Sequence, residues 1–357
     1  MEKIEFLTPI SGTMLCDKAG ITDKNALLVD ITLKATPGRR ITVNGLKTTD
    51  NAGYYTIKYP LTAYENKLIA RDTETGDYTE ATIYRLKDAS MKYRLSLDDN
   101  IWFFQDIVKN NYKSLFDNPY LGLMKEMNEK YGTKVHANIY YCCPEFGTFN
   151  LSQFPDKYKG EFEEASEWLR MSFHAFKNLP DEPYIHASYE QAYEECEMVT
   201  NEILRFAGEK TLSDYTTIHW CSGTYGASKA YRANGYKYLQ GGLNGLKPIC
   251  YYVDDEKYYE AVCKYGNYYD ADIDIVFTTS DSCLNITYQG GISHQLDERV
   301  KQYPLNGFVD LIIHEQYFYP HYRAYLPDYR ERVEEGIRWC VEHGYKPSFR
   351  SELLKPW

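Results

Sequence analysis

The stretch LSLDDN, residues 95–100, sets two carboxylates side by side, Asp98 and Asp99, directly after an apolar run. Two like charges at the end of a strand repel, and a helix N-terminus, a cation or a metal in front of them relieves the repulsion. Three of the eight histidines fall in comparable places. His174 closes WLRMSFHAF, His186 stands in PYIHASYEQ just before a helix signal, and His314 ends the apolar run FVDLIIH. A lone histidine on an apolar strand is ordinarily a hydrogen-bonded core residue, and an acidic pair alone ordinarily caps a helix. Together, at strand ends, these residues point to a shared site.

The elements that must position them change character along the chain. Residues up to about 85 read as β only. NALLVDITLKA alternates Leu27, Val29, Ile31 and Leu33 with polar residues, the period of a half-buried strand, and Pro37-Gly38, Asn44-Gly45 and Asn51-Ala52-Gly53 punctuate short strands at sandwich-like spacing. From residue 91 onward, short β-rich runs such as KYRLSL, KVHANIYY, DIVFTT and FVDLIIH alternate with helical ones. Ser188 and Gln191 open one helix that Gly208 closes; Pro327 and Asp328 open another that Gly344 closes. Alternating strand and helix predicts a parallel sheet, and this number of units predicts an α/β fold of the (β/α) barrel kind, with its working residues at strand C-termini. The predicted domains are therefore a small all-β sandwich over 1–88 and a barrel over 89–357.

On these motifs the second domain resembles the NodB-type polysaccharide deacetylases, metal-dependent enzymes on a distorted (β/α) barrel. LSLDDN matches the family's first motif, LIIH the last, and SGTYG retains the Tyr225-Gly226 of the third. The resemblance implies Asp98 as general base, His314 as general acid, and Asp99, His174 and His186 as ligands of one divalent metal, Zn2+ by expectation. It further implies Tyr225 in substrate binding and a metal-activated water attacking an N- or O-acetyl group. The chain departs from the family in two places. His174 and His186 are twelve residues apart instead of four, and Cys221 and Ser222 stand where the third motif carries arginine. Residues 41–76 resemble the small bacterial immunoglobulin-like modules of the glucodextranase B type, which implies a spacer or docking role. An inactive carbohydrate-binding relative is a second reading, and a metal-independent glycosidase using carboxylates such as Asp98 and Glu315 a third.

Composition narrows the partners. A net charge of −11 over 357 residues argues against nucleic acid and against anionic membrane surfaces. The N-terminal residues carry no basic segment leading into an apolar one, and no run approaches the roughly 20 apolar residues that span a bilayer, so a cytoplasmic location is expected. Nine cysteines without disulfide-like spacing predict buried thiols. Thirty-six tyrosines favour a carbohydrate substrate, since the ring suits sugar C–H faces, although tyrosine also fills cores.

Overall fold

The computed structural model describes residues 3–244, 247–253 and 255–356. Residues 5–86 form two five-stranded sheets. One runs in the order Glu5–Thr8, Ala26–Lys34, Tyr54–Leu61, Thr49–Asn51, with Ile21–Asp23 also paired to the second strand. The other runs Met14–Cys16, Tyr78–Leu86, Glu65–Asp72, Ile41–Val43, Leu46–Lys47. Leu27, Val29, Ile31 and Leu33 from the first sheet meet Ile41, Val43, Leu68, Ala70 and Ile83 from the second in one core. Burying each large aliphatic side chain contributes about 1.5–3 kcal/mol. A one-residue slip of the 26–34 strand would move all four of its core residues to the opposite face, so this burial fixes the register.

The remaining strands are mostly parallel. We number eight of them β1 (Lys92–Asn100), β2 (Val135–Cys142), β3 (Leu169–Lys177), β4 (Tyr215–Thr216), β5 (Tyr238–Asn244), β6 (Ile275–Thr279), β7 (Ser282–Cys283) and β8 (Phe308–His314). One sheet has the order β3-β2-β1-β8-β7; another contains β4-β5-β6, with Asn267–Asp270 antiparallel on its edge. Short links join the two sheets. Met171 on β3 bridges Leu212 just ahead of β4, through Met171 N to Thr211 O and Ser213 N to Met171 O, both 2.8 Å. At the other side, β6 leads within two residues into β7, which pairs with β8.

Strand β1 shows how this arrangement separates a buried polar face from a buried apolar one. Tyr93, Leu95 and Leu97 join the large apolar cluster with residues of the surrounding helices. Arg94, Ser96 and Asp98, on the alternate face, are equally buried but lie in a polar network. Arg94 donates Nε to Asp310 Oδ1 at 2.9 Å, lies 4.1 Å over the Tyr215 ring, and also bonds His136 Nδ1 and Gln240 Oε1. His136 Nε2 then reaches Ser172 Oγ at 2.9 Å, and Ser172 Oγ donates to Asn138 Oδ1 at 2.8 Å. Buried polar groups are costly unless bonded, and here most find partners along a continuous line that ends at the site, Gln240 Nε2 being an exception.

The helices relevant below are α1 (Trp102–Asn110), α2 (Tyr189–Phe206), α3 (Tyr225–Ala233) and α4 (Tyr329–Glu342). Ser188 Oγ accepts from Gln191 N at 3.2 Å and starts α2 where the sequence places it. Val333, Ile337 and Cys340 are buried along α4. All nine cysteines are free. No helix among the described residues is long and apolar enough to cross a membrane.

Candidate functional site

Two neighbouring carboxylates on a regular strand point to opposite faces, so Asp98 and Asp99 share a site only if the strand breaks its alternation. It does. The β1–β2 ladder pairs Leu97 with Ala137 and then Asn100 with Ile139, which sets Asp98 and Asp99 together against Asn138. Asp99 adopts φ 64°, a left-handed conformation unusual for a residue other than glycine. A second irregularity sits opposite. The β2–β3 ladder pairs Ile139 with Phe173 and Tyr140 with Ala175, leaving His174 as the extra residue. Bulges of this kind re-aim side chains beside functional sites.

The result is a buried triangle of Asp99, His174 and His219, which could hold a metal ion. Asp99 Oδ1 lies 2.9 Å from His174 Nε2 and 3.2 Å from His219 Nδ1, and the two nitrogens are 3.2 Å apart. A tetrahedral centre with ligands about 2.0–2.1 Å away implies ligand–ligand edges of about 3.3 Å, so the donor set fits such an ion. His174 Nδ1 faces the Thr217 carbonyl oxygen, which can only accept, so Nδ1 carries a proton and Nε2 is the atom turned toward the Asp99 oxygen. Two lone pairs that close require a proton or a cation between them. Burial pushes the Asp99 carboxyl up, but the His219 and His174 imidazoles, helped by His314, outweigh it and hold the group well below the usual carboxylate range.

Surrounding groups lock the triangle. Tyr140 donates its hydroxyl to Asp99 Oδ1 and lies 2.8 Å from His219 Nδ1; Gln316 Nε2 donates to Asp99 Oδ2 at 2.8 Å. Asp98 accepts from Asn138 Nδ2 at 2.7 Å and from Ser96 Oγ at 3.0 Å, the end of the polar line from Arg94. His314 stands directly across from Asp98 in the β1–β8 register. Its Nδ1 is 2.8 Å from Asn285 Oδ1, which leaves Nε2 for other partners. Burial lowers the His314 pKa, but the Asp99 carboxylate and Cys283 outweigh it and raise the group to about 10. Glu315, the next residue, is fully buried and caps α1 from a distance: its carboxylate accepts from Ile101 N, Trp102 N and Phe103 N at 2.6–2.8 Å. Three otherwise orphaned helix N–H groups are thereby satisfied, and the end of β1 is tied to the end of β8.

The structure brings Asp98, Asp99, His174 and His314 to strand ends within this network. His186 is a correction. It is exposed, and His219 occupies the third position of the triangle. The segment AFKNLPDEPYI leaves β3, is pinned by the fully buried Tyr184, and carries His186 outward at the approach to α2. His219 lies in the short 3-10 turn His219–Cys221, between β4 and α3. Its only signal in the sequence is its position after YTTI, one more histidine behind a β-rich run. Tyr225 is the exposed first residue of α3, with its ring 5.1 Å from Tyr252. As the first helical residue, its N–H has no carbonyl within the helix to meet.

Next to His219, Trp220 has φ 62° and ψ 10°, and Cys221 has φ 51°. Ile218 O accepts from Cys221 N at 2.7 Å, closing a four-residue turn whose third place favours glycine or asparagine. A left-handed conformation costs a side-chain-bearing residue about 1–2 kcal/mol. Such strain gathers at functional sites, and Asp99, Trp220 and Cys221 all lie at this one.

No family model matches the chain, and no curated protein matches it. Among solved structures, it is similar to a putative alpha-galactosidase/melibiase from Bacteroides fragilis NCTC 9343, with 12% identity over 67% of this chain and 57% of that one and a TM-score of 0.24. It is also similar to a calcium-binding mutant of Bacteroides uniformis beta-glucuronidase 2, with 10% identity over 86% of this chain and 39% of that one and a TM-score of 0.27. The chain thus spans well under two thirds of either protein's length, and similarities this low carry no functional argument.

Proposed function

We propose that the chain is a metal-dependent hydrolase that removes acyl groups, N- or O-acetyl, from a carbohydrate. The observation that carries this reading is the Asp99–His174–His219 triangle, with a further carboxylate, Asp98, one residue from its apex. Asp99, His174 and His219 would hold one divalent cation, zinc on donor type and number, with a net charge near +1 and positions left open. Such an ion, when bound, supplies a water of lowered pKa and positive charge toward a developing oxyanion.

The chain's own groups then divide the work. Asp98, fixed by Asn138 and Ser96, takes a proton from the attacking water as its oxygen bonds the acyl carbon. The acyl C–N or C–O bond breaks, and His314 gives its proton to the departing sugar nitrogen or oxygen. The Tyr225 N–H is the candidate backbone donor to the oxyanion. The strand order and the links between β3 and β4 and between β6 and β8 support a distorted (β/α) barrel of the polysaccharide deacetylase type. The two sheets of residues 5–86 support an immunoglobulin-like module. Nine free thiols favour a reducing compartment such as the cytoplasm. The glycosidase reading loses support because Glu315 is committed to the N-terminus of α1.

Release of acetate from acetylated oligosaccharides, followed before and after chelation, tests the proposal. Chelation is expected to stop release and added Zn2+ to restore it. Chelator-insensitive release of reducing sugar selects the glycosidase instead, and metal and sugar binding without any release selects the inactive binding protein.

A further inference from the structure

Trp220 combines two features that do nothing for folding. Its backbone sits in the left-handed region, at a turn position that glycine would fill without strain. The residue is 47% exposed, so about half of the benefit of burying the largest side chain is forgone. A residue that is strained and yet unburied is retained for something outside the fold. Its position says what: the indole ring centre is 6.1 Å from that of His219, with the planes at 68° to each other. His219 belongs to the buried triangle, so the exposed ring borders the point where a substrate acyl group must arrive. The strained turn, closed by the hydrogen bond from Cys221 N to Ile218 O, holds residue 220 beside His219.

We propose that Trp220 is a stacking platform for a pyranose ring, holding the sugar unit that carries, or adjoins, the acyl group. A flat indole matches the C–H face of a pyranose, and about half of this residue's surface is free to meet one. The inference rests on the hydrolase reading for the identity of the ligand, but the experiment separates the two. N-acetylchitotetraose and cellotetraose are titrated calorimetrically into wild-type protein, Trp220→Phe, Trp220→Ala and Trp220→Gly, with acetate release followed in parallel.

The dissociation constant for at least one oligosaccharide is expected to rise tenfold or more in Trp220→Ala and Trp220→Gly, and threefold or less in Trp220→Phe. Metal content should not change. Trp220→Gly should also unfold no earlier than wild type, because glycine relieves the backbone strain; a residue kept for structure would give the opposite. Unaltered affinity in Trp220→Ala, equal losses in the Phe and Ala variants, or no binding of either oligosaccharide to wild type overturns the platform. Tight, Trp220-dependent binding with no acetate released from the acetylated probe overturns the hydrolase reading and leaves the platform standing.

Discussion

Asp99→Ala is expected to leave the purified protein without bound divalent metal and without hydrolytic activity. The carboxylate supplies the oxygen that faces both imidazole nitrogens and the only negative charge of the triangle. Its loss should weaken metal binding by well over the about 10–100-fold that outer partners contribute. It also strands Gln316 Nε2, a buried donor that would cost about 1–3 kcal/mol unsatisfied. Asp99→Asn is therefore the companion variant, since its amide oxygen still accepts a hydrogen bond but no longer offers a charge. His219→Ala should behave like Asp99→Ala, whereas His186→Ala should leave metal content and turnover at wild-type values. Elemental analysis after dialysis reads all four. Metal retained in His219→Ala but lost in His186→Ala would reverse the ligand assignment.

Asp98→Asn should do the opposite: hold the metal and lose turnover. The substitution keeps shape and keeps an oxygen to accept from Asn138 and Ser96, but it cannot take a proton. A positioned general base contributes about 10²–10⁴-fold, and a fall of that size in kcat is the expected result. If kcat fell no more than a few-fold, proton transfer would have to run through another group.

The sequence carried much of this site and concealed one part of it for a physical reason. Asp98, Asp99, His174 and His314 end strands whose apolar pattern is strong, so their places were legible. What the pattern could not convey was how adjacent aspartates face one site, because that depends on the bulge opposite Asn138 and on the left-handed Asp99. His186 was expected on the order of motifs, yet an eleven-residue connection gave the chain room to leave the site, and the nearby buried Tyr184 anchors it there. His219 was legible only as a possible cleft residue and not as a ligand, because it belongs to a three-residue turn with no periodicity of its own.

Arg94 lies on the same strand face as Ser96 and Asp98, two and four positions on, and connects to Asp98 through His136, Ser172 and Asn138. An i, i+2, i+4 alternation of arginine, serine and aspartate reads equally well as a solvent-facing edge. It became an interior only when the strands on either side were in place. The tyrosine excess divides in a similar way. Tyr93, Tyr120, Tyr140, Tyr158, Tyr184 and Tyr215 are wholly buried, so much of it serves packing and hydrogen bonding in the core and not sugar faces.

X-ray diffraction from crystals equilibrated with Zn2+, recorded on both sides of the zinc absorption edge, tests the metal assignment most directly. The expected result is one strong anomalous peak about 2.0–2.2 Å from a carboxylate oxygen of Asp99, Nε2 of His174 and Nδ1 of His219. A fully loaded crystal with no peak among these three side chains, or with its peak at His186, would contradict it.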